Sequence, residues 1–404
     1  MRYLFSWKQT SKYMIRIAFF AEILFEEHDG AARTMFQIIN RIDHDRFSFF
    51  FIYGQGPKEI VGHRSIRVPT LNTGVNKDYS VSLPALIRGR IKQELDNFQP
   101  HVIHIATPSF LGFFALRYAR SRNIPVISLY HTNFLSYIPY YFRKVPTLIK
   151  PVQRWMTSAM RRFYNHCDTV YIPSCAMKKQ LEGLGVQKEK LILWQRGIDL
   201  RLFNPQKRDM AYIQDITGND RPNILFASRL VWEKNIQTLI DIYKRLRETQ
   251  LSHNFIVAGD GPAGEEMKRQ MPEAIFMGKL PHTKLAKLYA SSDVFIFPSI
   301  SETYGNVVVE AMASGLPCVI ADGGGSADLV RHGQTGYKCL PKSAGDYLIY
   351  IRMLLADPTL HKFMHDTGLA YAQKLDWKNL TDRYFEEVTR LALQPKERMV
   401  WAAC

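Results

Sequence analysis

Apolar runs of strand length alternate with helical patterns along the first half of the chain. The patterns at 111–120 and 155–165 repeat apolar residues at the spacing of an amphipathic helix. Buried strands that alternate with such helices indicate parallel sheets covered on both faces. The strands expected in this half lie at 14–20, 47–53, 65–68, 102–105, 126–130 and 169–172, after a leader at 1–13.

The second half repeats the alternation, so the expected fold class is α/β with two Rossmann-like parallel-sheet domains. A chain of 404 residues is too long for one comfortable hydrophobic core, which also favours two domains. We expect an N-terminal domain over 1–205, a C-terminal domain over 206–374, and a helix in 375–404 that crosses back to the N-terminal domain. The polar run 206–221 is the expected linker.

The stretch 294–321 reads as strand, loop, helix and strand, and we expect it to form the centre of a functional site. Its helix, 306–314, is apolar nearly all round yet carries Glu310, and a buried carboxylate is costly without a partner. Glu302 lies in the loop before this helix, near Gly305. Such loops hold ligands, and a helix N-terminus favours an anion. Alternatively, Glu302 is a solvated loop residue and Glu310 is paired with a neighbouring arginine.

Two cations, Arg229 and Lys234, lie between a predicted strand at 223–227 and a predicted helix from about 236. An arginine can bind a diphosphate with two parallel N–H groups, and a lysine binds it as a point charge. The position before a helix N-terminus suits the same ligand. The alternative is that both are ordinary surface charges.

Glycines at 259, 261 and 264 match the G-x-G-x-x-G spacing of a dinucleotide-binding loop. Pro262 removes one backbone donor from this loop, and the acidic residue expected about 20 positions further on is absent, because the chain reads Met-Gly-Lys at 277–279. We therefore do not expect a nicotinamide cofactor.

Two positions in the first half also suit a ligand. Gly30 lies between the first strand and a helical pattern, where it allows close approach of a substrate or serves only as a turn. His131 directly follows the strand at 126–130, at the sheet edge where ligands bind, although a single histidine can also be structural. His104 lies inside a strand pattern, and we expect it to be structural.

The charge of the chain is +16, and it is unevenly distributed, because no Asp or Glu occurs between Asn97 and Cys167. A positive surface suits nucleic acid, anionic lipid or an acidic substrate, or is merely solvated. Aromatic residues among the cations are typical of a peripheral membrane surface. These aromatic residues are Tyr137, Tyr140, Tyr141, Phe142 and Trp155.

The chain is 46% apolar, which is typical of a globular protein. It contains an odd number of cysteines, five, and they lack metal-ligand spacing, which indicates a reducing compartment. The apolar run 17–25 is interrupted by Glu22 and is too short to span a bilayer. We expect a cytoplasmic protein, attached peripherally to the inner face of the membrane.

The motifs together resemble the retaining glycosyltransferases of the GT-B fold, family 4. The resemblance follows the order of that family along nearly the whole chain. It rests on the Gly30 loop, HTN from His131, LWQRGIDLRLFNP from Leu191, SRLVWEKN from Ser228, GDGP from Gly259, and SETYGNVVVEAMASGLP from Ser301.

The resemblance implies a nucleotide-sugar donor, with UDP or GDP, in a cleft between the two domains, and no metal or other cofactor. Arg229 and Lys234 would hold the donor diphosphate, and Glu310 would accept the ribose hydroxyls. Glu302 would lie by the transferred sugar, and His131 near its reactive face. The other donor-binding residues implied are Gly30, Gly259, Met277, Leu280, Tyr304, Gly305, Asn306 and Val307.

The HTNF and LW-x-RG-x-D segments look most like members that make mannosylated, glucosylated or sulfoquinovosyl lipids. The expected acceptor is therefore a hydroxyl of a membrane lipid or of a polysaccharide precursor. Two alternatives differ in kind. A nucleotide-sugar epimerase has the same fold but needs no acceptor. A nucleic-acid-binding protein would use the basic surface, but the sequence contains no recognisable recognition module.

Overall fold

The computed structural model describes residues 13–26, 30–60, 62–72, 80–130, 135, 138, 142 and 145–394. Backbone contacts divide the chain into two compact units. The first unit comprises the described residues of Met1–Ile172, Gln180–Leu193 and Thr381–Cys404, and the second comprises Pro173–Lys179 and Trp194–Leu380. Each unit is built on its own parallel sheet.

The first unit contains a seven-stranded sheet in the order β3-β2-β1-β6-β7-β8-β9, and every neighbouring pair is parallel. A short antiparallel hairpin, β4 with β5, stands apart from it. The strands are β1 Ile15–Ile23, β2 Phe47–Gln55, β3 Arg64–Arg67, β4 Thr70–Asn72, β5 Ser80–Ser82, β6 Val102–Ile105, β7 Val126–Leu129, β8 Thr169–Ile172 and β9 Leu191–Leu193.

Helices join most of these strands, as the alternating sequence pattern predicts. Ser109 caps the third helix by accepting a hydrogen bond from the Gly112 N–H at 3.1 Å. The helices in this half of the chain are α1 Gly30–Ile39, α2 Arg88–Phe98, α3 Phe110–Ser121, α4 Ile149–Asn165 and α5 Cys175–Gly183.

His104 lies in the core of the first unit, in agreement with the structural role expected for it. Its ring stacks on Phe19 with centroids 4.1 Å apart, and its Nδ1 lies 2.8 Å from the Tyr384 hydroxyl. Burial lowers the pKa of His104 to about 3, so the imidazole is neutral at physiological pH. A neutral ring packed against an aromatic core serves stability.

The second unit contains a six-stranded parallel sheet in the order β12-β11-β10-β13-β14-β15. Its strands are β10 Asn223–Ala227, β11 Asn254–Ala258, β12 Ile275–Gly278, β13 Val294–Phe297, β14 Cys318–Ala321 and β15 Tyr337–Cys339. The helices that follow along the chain are α6 Met210–Thr217, α7 Ile236–Arg247, α8 Gly264–Gln270, α9 His282–Ser291, α10 Asn306–Ala313, α11 Ala344–Ala356, α12 Pro358–Ala372 and α13 Trp377–Leu393.

The strand order of the second unit places a topological switch point between β10 and β13. These two strands are paired in parallel, with Leu225 opposite Phe295. After β10 the chain continues to β11, toward one edge of the sheet, and after β13 it continues to β14, toward the opposite edge. This divergence opens a crevice beyond the carboxyl ends of β10 and β13. The loops that follow these two strands carry Arg229, Lys234 and Glu302.

The expected linker at 206–221 is wrong, because most of it folds as part of the second unit. Helix α6, Met210–Thr217, begins after Asp209, whose carboxylate accepts from the Tyr212 N–H at 3.0 Å, and ends at Gly218 with φ +68°. Ile213 is buried in the core of this unit. Ile213 is the one buried residue of this short helix, and polar and charged residues flank the helix on both sides, so the run 206–221 reads as polar.

The units also divide at positions other than the expected ones, because 194–198 is bound to the segment before α13 and to the first turn of that helix. The Trp194 indole N–H donates to the Leu380 carbonyl at 2.8 Å, and the Ile198 N–H donates to Leu375 at 3.0 Å. Residues 194–205 therefore belong to the second unit. Within α13, the residues from Thr381 onward belong to the first unit.

Several expectations fall on residues outside the described part of the chain. They are the leader up to residue 12, His131, and the tyrosines at 137, 140 and 141. Across the described residues, no helix combines the length and the apolar character that a membrane span requires.

Candidate active site

The loop after β10 carries both predicted cations. Arg229 is exposed, whereas Lys234 ends a single 3-10 turn, Trp232–Lys234, and is buried with 6% of its surface exposed. Asn235 follows in the left-handed conformation, with φ +58°, and the helix Ile236–Arg247 begins there. A buried lysine requires a partner for its ammonium group.

That partner is Glu302, whose carboxylate forms an ion pair with the Lys234 ammonium. Asn235 helps to fix the pair, because its side-chain amide donates to the Pro298 carbonyl at 3.1 Å, just beyond the end of β13. The loop after β10 is thereby attached to the loop after β13. Both interpretations that left these groups as solvated surface charges are wrong for Lys234 and Glu302.

Three cations act on the Glu302 carboxyl. Burial acts to raise its pKa, but Lys234 lowers it through charge and hydrogen bonding, and the charges of Arg229 and Arg196 lower it further. The net pKa is below the usual value, so Glu302 is a carboxylate at neutral pH. A carboxyl with a lowered pKa contributes stability that is lost as the pH falls through the folded-state value.

Arg196 is a member of this cluster that the sequence analysis did not single out. Its side chain is buried, and its guanidinium carbon lies 5.9 Å from the centroid of the Tyr304 ring. The Tyr304 hydroxyl donates to the Arg196 carbonyl oxygen at 2.8 Å. The signal that could have identified Arg196 is the LW-x-RG-x-D motif, in which it is the only cation.

Glycines hold the loop of Glu302 in place. Gly305 has φ +98°, and a Cβ atom there would lie 2.7 Å from the Ser326 Cβ. The Gly325 N–H donates to the Glu302 carbonyl oxygen at 2.6 Å, and a Cβ atom on Gly325 would lie 2.1 Å from the Thr303 carbonyl oxygen. The glycine run at 323–325 thus serves to let two loop backbones touch.

Glu310 lies on the second turn of α10 and is buried, as predicted. The Tyr289 hydroxyl donates to its Oε2 at 3.4 Å. The Tyr289 ring in turn packs against Phe203 and Phe295, at centroid distances of 6.0 and 5.6 Å. The carboxylate of Glu310 therefore has a protein partner on the preceding helix, α9.

The glycines at 259 and 261 are explained by packing against the loop that carries Arg229. Gly259 has φ +138°, and a Cβ atom there would lie 1.8 Å from the Ser228 carbonyl oxygen. Gly261 has φ +154°, and its Cβ atom would lie 2.5 Å from the Leu230 carbonyl oxygen. Only glycine allows the two loops to approach this closely.

Gly259→Ala is expected to lower the free energy of unfolding by about 3 kcal/mol, because strain in φ adds to the backbone collision. Chemical denaturation of the whole protein measures this change. Gly218→Ala is the matched control, since Gly218 has φ +68° but nothing within 4 Å of its Cβ position, and it should cost only about 1 kcal/mol. Equal effects of the two substitutions would contradict the collision.

The remaining predicted residues stand at these positions. Met277 lies in β12 and is half-buried, and so are Leu280, Asn306 and Val307. The Oδ1 atom of Asn306, at the start of α10, is buried without a hydrogen-bond partner among the described residues. Gly30 is the first residue of α1, in the first unit. Their contacts with a donor stay predictions.

The described residues contain no group of three or more His, Cys, Asp or Glu side chains placed to hold a metal ion.

Two family models match the chain and divide it between them. The glycosyltransferase family 4 model matches residues 28–202, and the model of the group 1 glycosyl transferases matches residues 213–370. The chain belongs to the glycosyltransferases of these two models. The sequence resemblance to this family is thereby confirmed.

Relatives of this glycosyltransferase include enzymes of several specificities. The sulfoquinovosyl transferase of Arabidopsis thaliana is 32% identical over 337 residues, which cover 81% of this chain and 62% of the plant protein. The GDP-mannose-dependent alpha-mannosyltransferase of Corynebacterium glutamicum is 27% identical, over 80% of this chain and 76% of the relative. The alpha-monoglucosyldiacylglycerol synthase of Streptococcus pneumoniae is 27% identical, over 76% of this chain and 71% of the relative.

Solved structures show that the glycosyltransferase has the GT-B fold, as predicted. HepE of Anabaena, in complex with UDP and glucose, matches with a TM-score of 0.71 at 18% identity, over 93% of this chain and 99% of that one. WaaG, a glycosyltransferase involved in lipopolysaccharide biosynthesis, matches with a TM-score of 0.67 at 14% identity, over 92% of this chain and 99% of that one.

Proposed function

We propose that the protein is a retaining glycosyltransferase that moves a hexose from a UDP-sugar or GDP-sugar to a hydroxyl group of a lipid or glycan acceptor. One observation carries the proposal. Beyond the two strands that flank the switch point of the second unit, Lys234 is paired with a single ionised carboxylate, Glu302, on which the charges of Arg229 and Arg196 also act. Such a surplus of positive charge suits a diphosphate, and a carboxylate among the cations suits the hydroxyls of a sugar.

In the proposed reaction, the bond between the anomeric carbon and the diphosphate oxygen breaks, and a bond from the anomeric carbon to the acceptor oxygen forms on the same face of the sugar. Negative charge grows on the departing diphosphate. Lys234 and Arg229 stabilise this charge. Lys234 lowers the barrier most effectively, because its burial and its ion pair with Glu302 hold it in place before the reaction. The proton of the acceptor hydroxyl passes to the departing diphosphate oxygen, on the same face of the sugar, as the new bond forms.

The two acidic residues bind rather than react in this proposal. Glu302 accepts a hydrogen bond from a hydroxyl of the transferred sugar, and Glu310 accepts hydrogen bonds from the ribose. His131 is assigned to the reactive face of the sugar on the resemblance alone. No metal ion is required by this proposal, because the cations of the protein neutralise the leaving group.

A thermal-shift screen of UDP-, GDP- and ADP-sugars tests donor binding, because a ligand that binds the folded state raises its melting temperature. The donor that binds is then incubated with and without an acceptor. Conversion of the donor without an acceptor would indicate an epimerase. The anomeric configuration of the product, read from its NMR coupling constants, tests retention: an inverted product would contradict the proposal.

One relative supports a lipid acceptor, because it is named for the synthesis of monoglucosyldiacylglycerol. The first unit carries a basic surface that suits an anionic membrane. Helix α4, Ile149–Asn165, presents Lys150, Arg154 and Arg161 around a recess of about 360 Å³. Trp155, on the same helix, is 66% exposed. An exposed tryptophan among cations suits the headgroup level of a bilayer.

The double substitution Arg154→Glu and Arg161→Glu is expected to weaken binding to anionic vesicles by about tenfold or more, since each cation near such a surface contributes about 1 kcal/mol. Trp155→Ala should weaken the same binding. Co-sedimentation with vesicles containing phosphatidylglycerol, compared with phosphatidylcholine alone, measures both effects. Arg352→Glu, an exposed change in the second unit, is the matched control. Equal, salt-independent binding to both vesicle types would contradict membrane docking.

A further inference from the structure

The segment 194–198 is held in the second unit by hydrogen bonds at both of its ends. Trp194 and Ile198 are bonded to the chain before and at the start of α13. A Cβ atom on Gly197 would lie 2.7 Å from the Trp377 ring, so the segment packs directly against that indole. Arg196 stands in the middle of this segment, and its backbone is therefore fixed on both sides.

Arg196 and Tyr304 contact each other in two ways. The Tyr304 hydroxyl donates to the Arg196 carbonyl oxygen at 2.8 Å, and the Arg196 guanidinium lies over the Tyr304 ring at 5.9 Å. Tyr304 is two residues after Glu302 and is 1% exposed. The segment 194–198 is thus joined to the loop that carries Glu302, and this connection limits the movement of the Glu302 carboxylate.

A donor changes the balance of charge around Glu302. A diphosphate that binds Lys234 competes with Glu302 for the same ammonium group, and Arg229, which is exposed, is free to turn toward the phosphates as well. Arg196 is buried and held by its contact with Tyr304. Arg196 therefore keeps its place against Tyr304 when the other two cations engage the donor.

We propose that Arg196 is a positioning residue of the donor site: through its contacts with Tyr304 it fixes the loop of Glu302, so that the Glu302 carboxylate stays in place for a sugar hydroxyl when Lys234 engages the diphosphate. This inference rests on the proposed function. An arginine suits the role better than a lysine, because a guanidinium stacks on an aromatic ring, is weakly hydrated and keeps its charge when buried.

The pH dependence of sugar binding should change when the charge of Arg196 is removed. The groups that face Glu302 are Lys234, Arg229 and Arg196, with the Ser299 hydroxyl donating at 3.4 Å. Removal of the Arg196 charge raises the pKa of Glu302 in the donor complex. A protonated Glu302 is a poorer acceptor for a sugar hydroxyl, so sugar recognition is lost at a higher pH.

The experiment compares the affinity for a sugar nucleotide with the affinity for its nucleoside diphosphate, because their ratio isolates the contribution of the sugar. Calorimetry with UDP-glucose and UDP, and with GDP-mannose and GDP, gives this ratio from about pH 3 to about pH 8.5, a range that includes the lowered pKa of Glu302. In Arg196→Gln, the acid midpoint of the ratio should rise by about one pH unit. Arg201→Gln, an exposed change five positions on, should leave the midpoint where it is in the parent.

Arg196→Lys keeps the positive charge at position 196 but removes the guanidinium that packs over the Tyr304 ring. It should restore the acid midpoint of the parent, while the ratio at pH 8 stays about fivefold lower, because a lysine does not hold the Tyr304 ring in the same way. It also serves as the test if the glutamine variant does not fold. A parental ratio at pH 8 in Arg196→Lys would overturn the positioning role, and a parental midpoint in a folded Arg196→Gln would overturn the charge role. If the parent binds no sugar nucleotide, the proposed function itself is overturned and the inference with it.

Discussion

Lys234→Ala is expected to weaken donor binding by about 10- to 150-fold and to reduce sharply the rise in melting temperature that a sugar nucleotide produces. One charge-assisted hydrogen bond to a phosphate contributes about 1.5 to 3 kcal/mol, and Lys234 is held for this contact by its burial. The substitution also leaves Glu302 without its ion-pair partner, at a cost in stability of about 3 kcal/mol. Calorimetry and thermal unfolding measure the two effects separately.

Two further variants show whether the loss is specific to Lys234. Lys268→Ala removes an exposed lysine of the same unit, which pairs with Glu265 on the surface of α8, and should change neither quantity appreciably. Glu302→Gln removes the other member of the buried pair. In a double-mutant cycle, the stability losses of Lys234→Ala and Glu302→Gln should not add, because both remove one interaction. A folded Lys234→Ala protein that binds the donor with parental affinity would refute the site.

The sequence was sufficient to predict the two parallel sheets and three residues of the site. Strands buried on both faces read as continuous apolar runs, so β6, β8 and β10 were predicted with their observed bounds. Arg229, Lys234 and Glu302 follow predicted strands, and this position in the sequence is enough to place them at a sheet edge. Their meeting depends on the pairing of β10 with β13, which are about 70 residues apart, and no local pattern encodes that pairing.

Other features required the folded backbone. Arg196 lies against Tyr304, in the loop of Glu302, and its segment 194–198 is bonded to the chain near α13, about 180 residues away in the sequence. The same contact places the division between the units before Trp194 instead of after residue 205. The short helix α6 was missed, although Asp209 and Gly218 are the capping residues expected at its two ends. In that case the signal was local and was outweighed by the polarity of the segment.

Glu310→Ala is expected to weaken binding of UDP or GDP by about 100-fold, since the carboxylate is proposed to accept two hydrogen bonds from the ribose. The sharpest measurement uses the nucleotide as well as the protein. If Glu310 binds the ribose hydroxyls, the 2′,3′-dideoxy nucleoside diphosphate should bind the parent as weakly as the normal one binds Glu310→Ala. In the variant, the two nucleotides should bind alike, because the removed carboxylate and the removed hydroxyls belong to one interaction.

Tyr289→Phe distinguishes the proposed binding of the ribose by Glu310 from the contribution of Glu310 to stability. The substitution removes the hydroxyl that donates to Glu310 and should lower the free energy of unfolding by about 1 kcal/mol, while nucleotide affinity changes little. Full discrimination between the normal and dideoxy nucleotides in a folded Glu310→Ala protein would show that the carboxylate does not touch the ribose. Glu310 would then be a core charge whose partner is Tyr289, and the donor site would rest on Lys234, Arg229 and Glu302 alone.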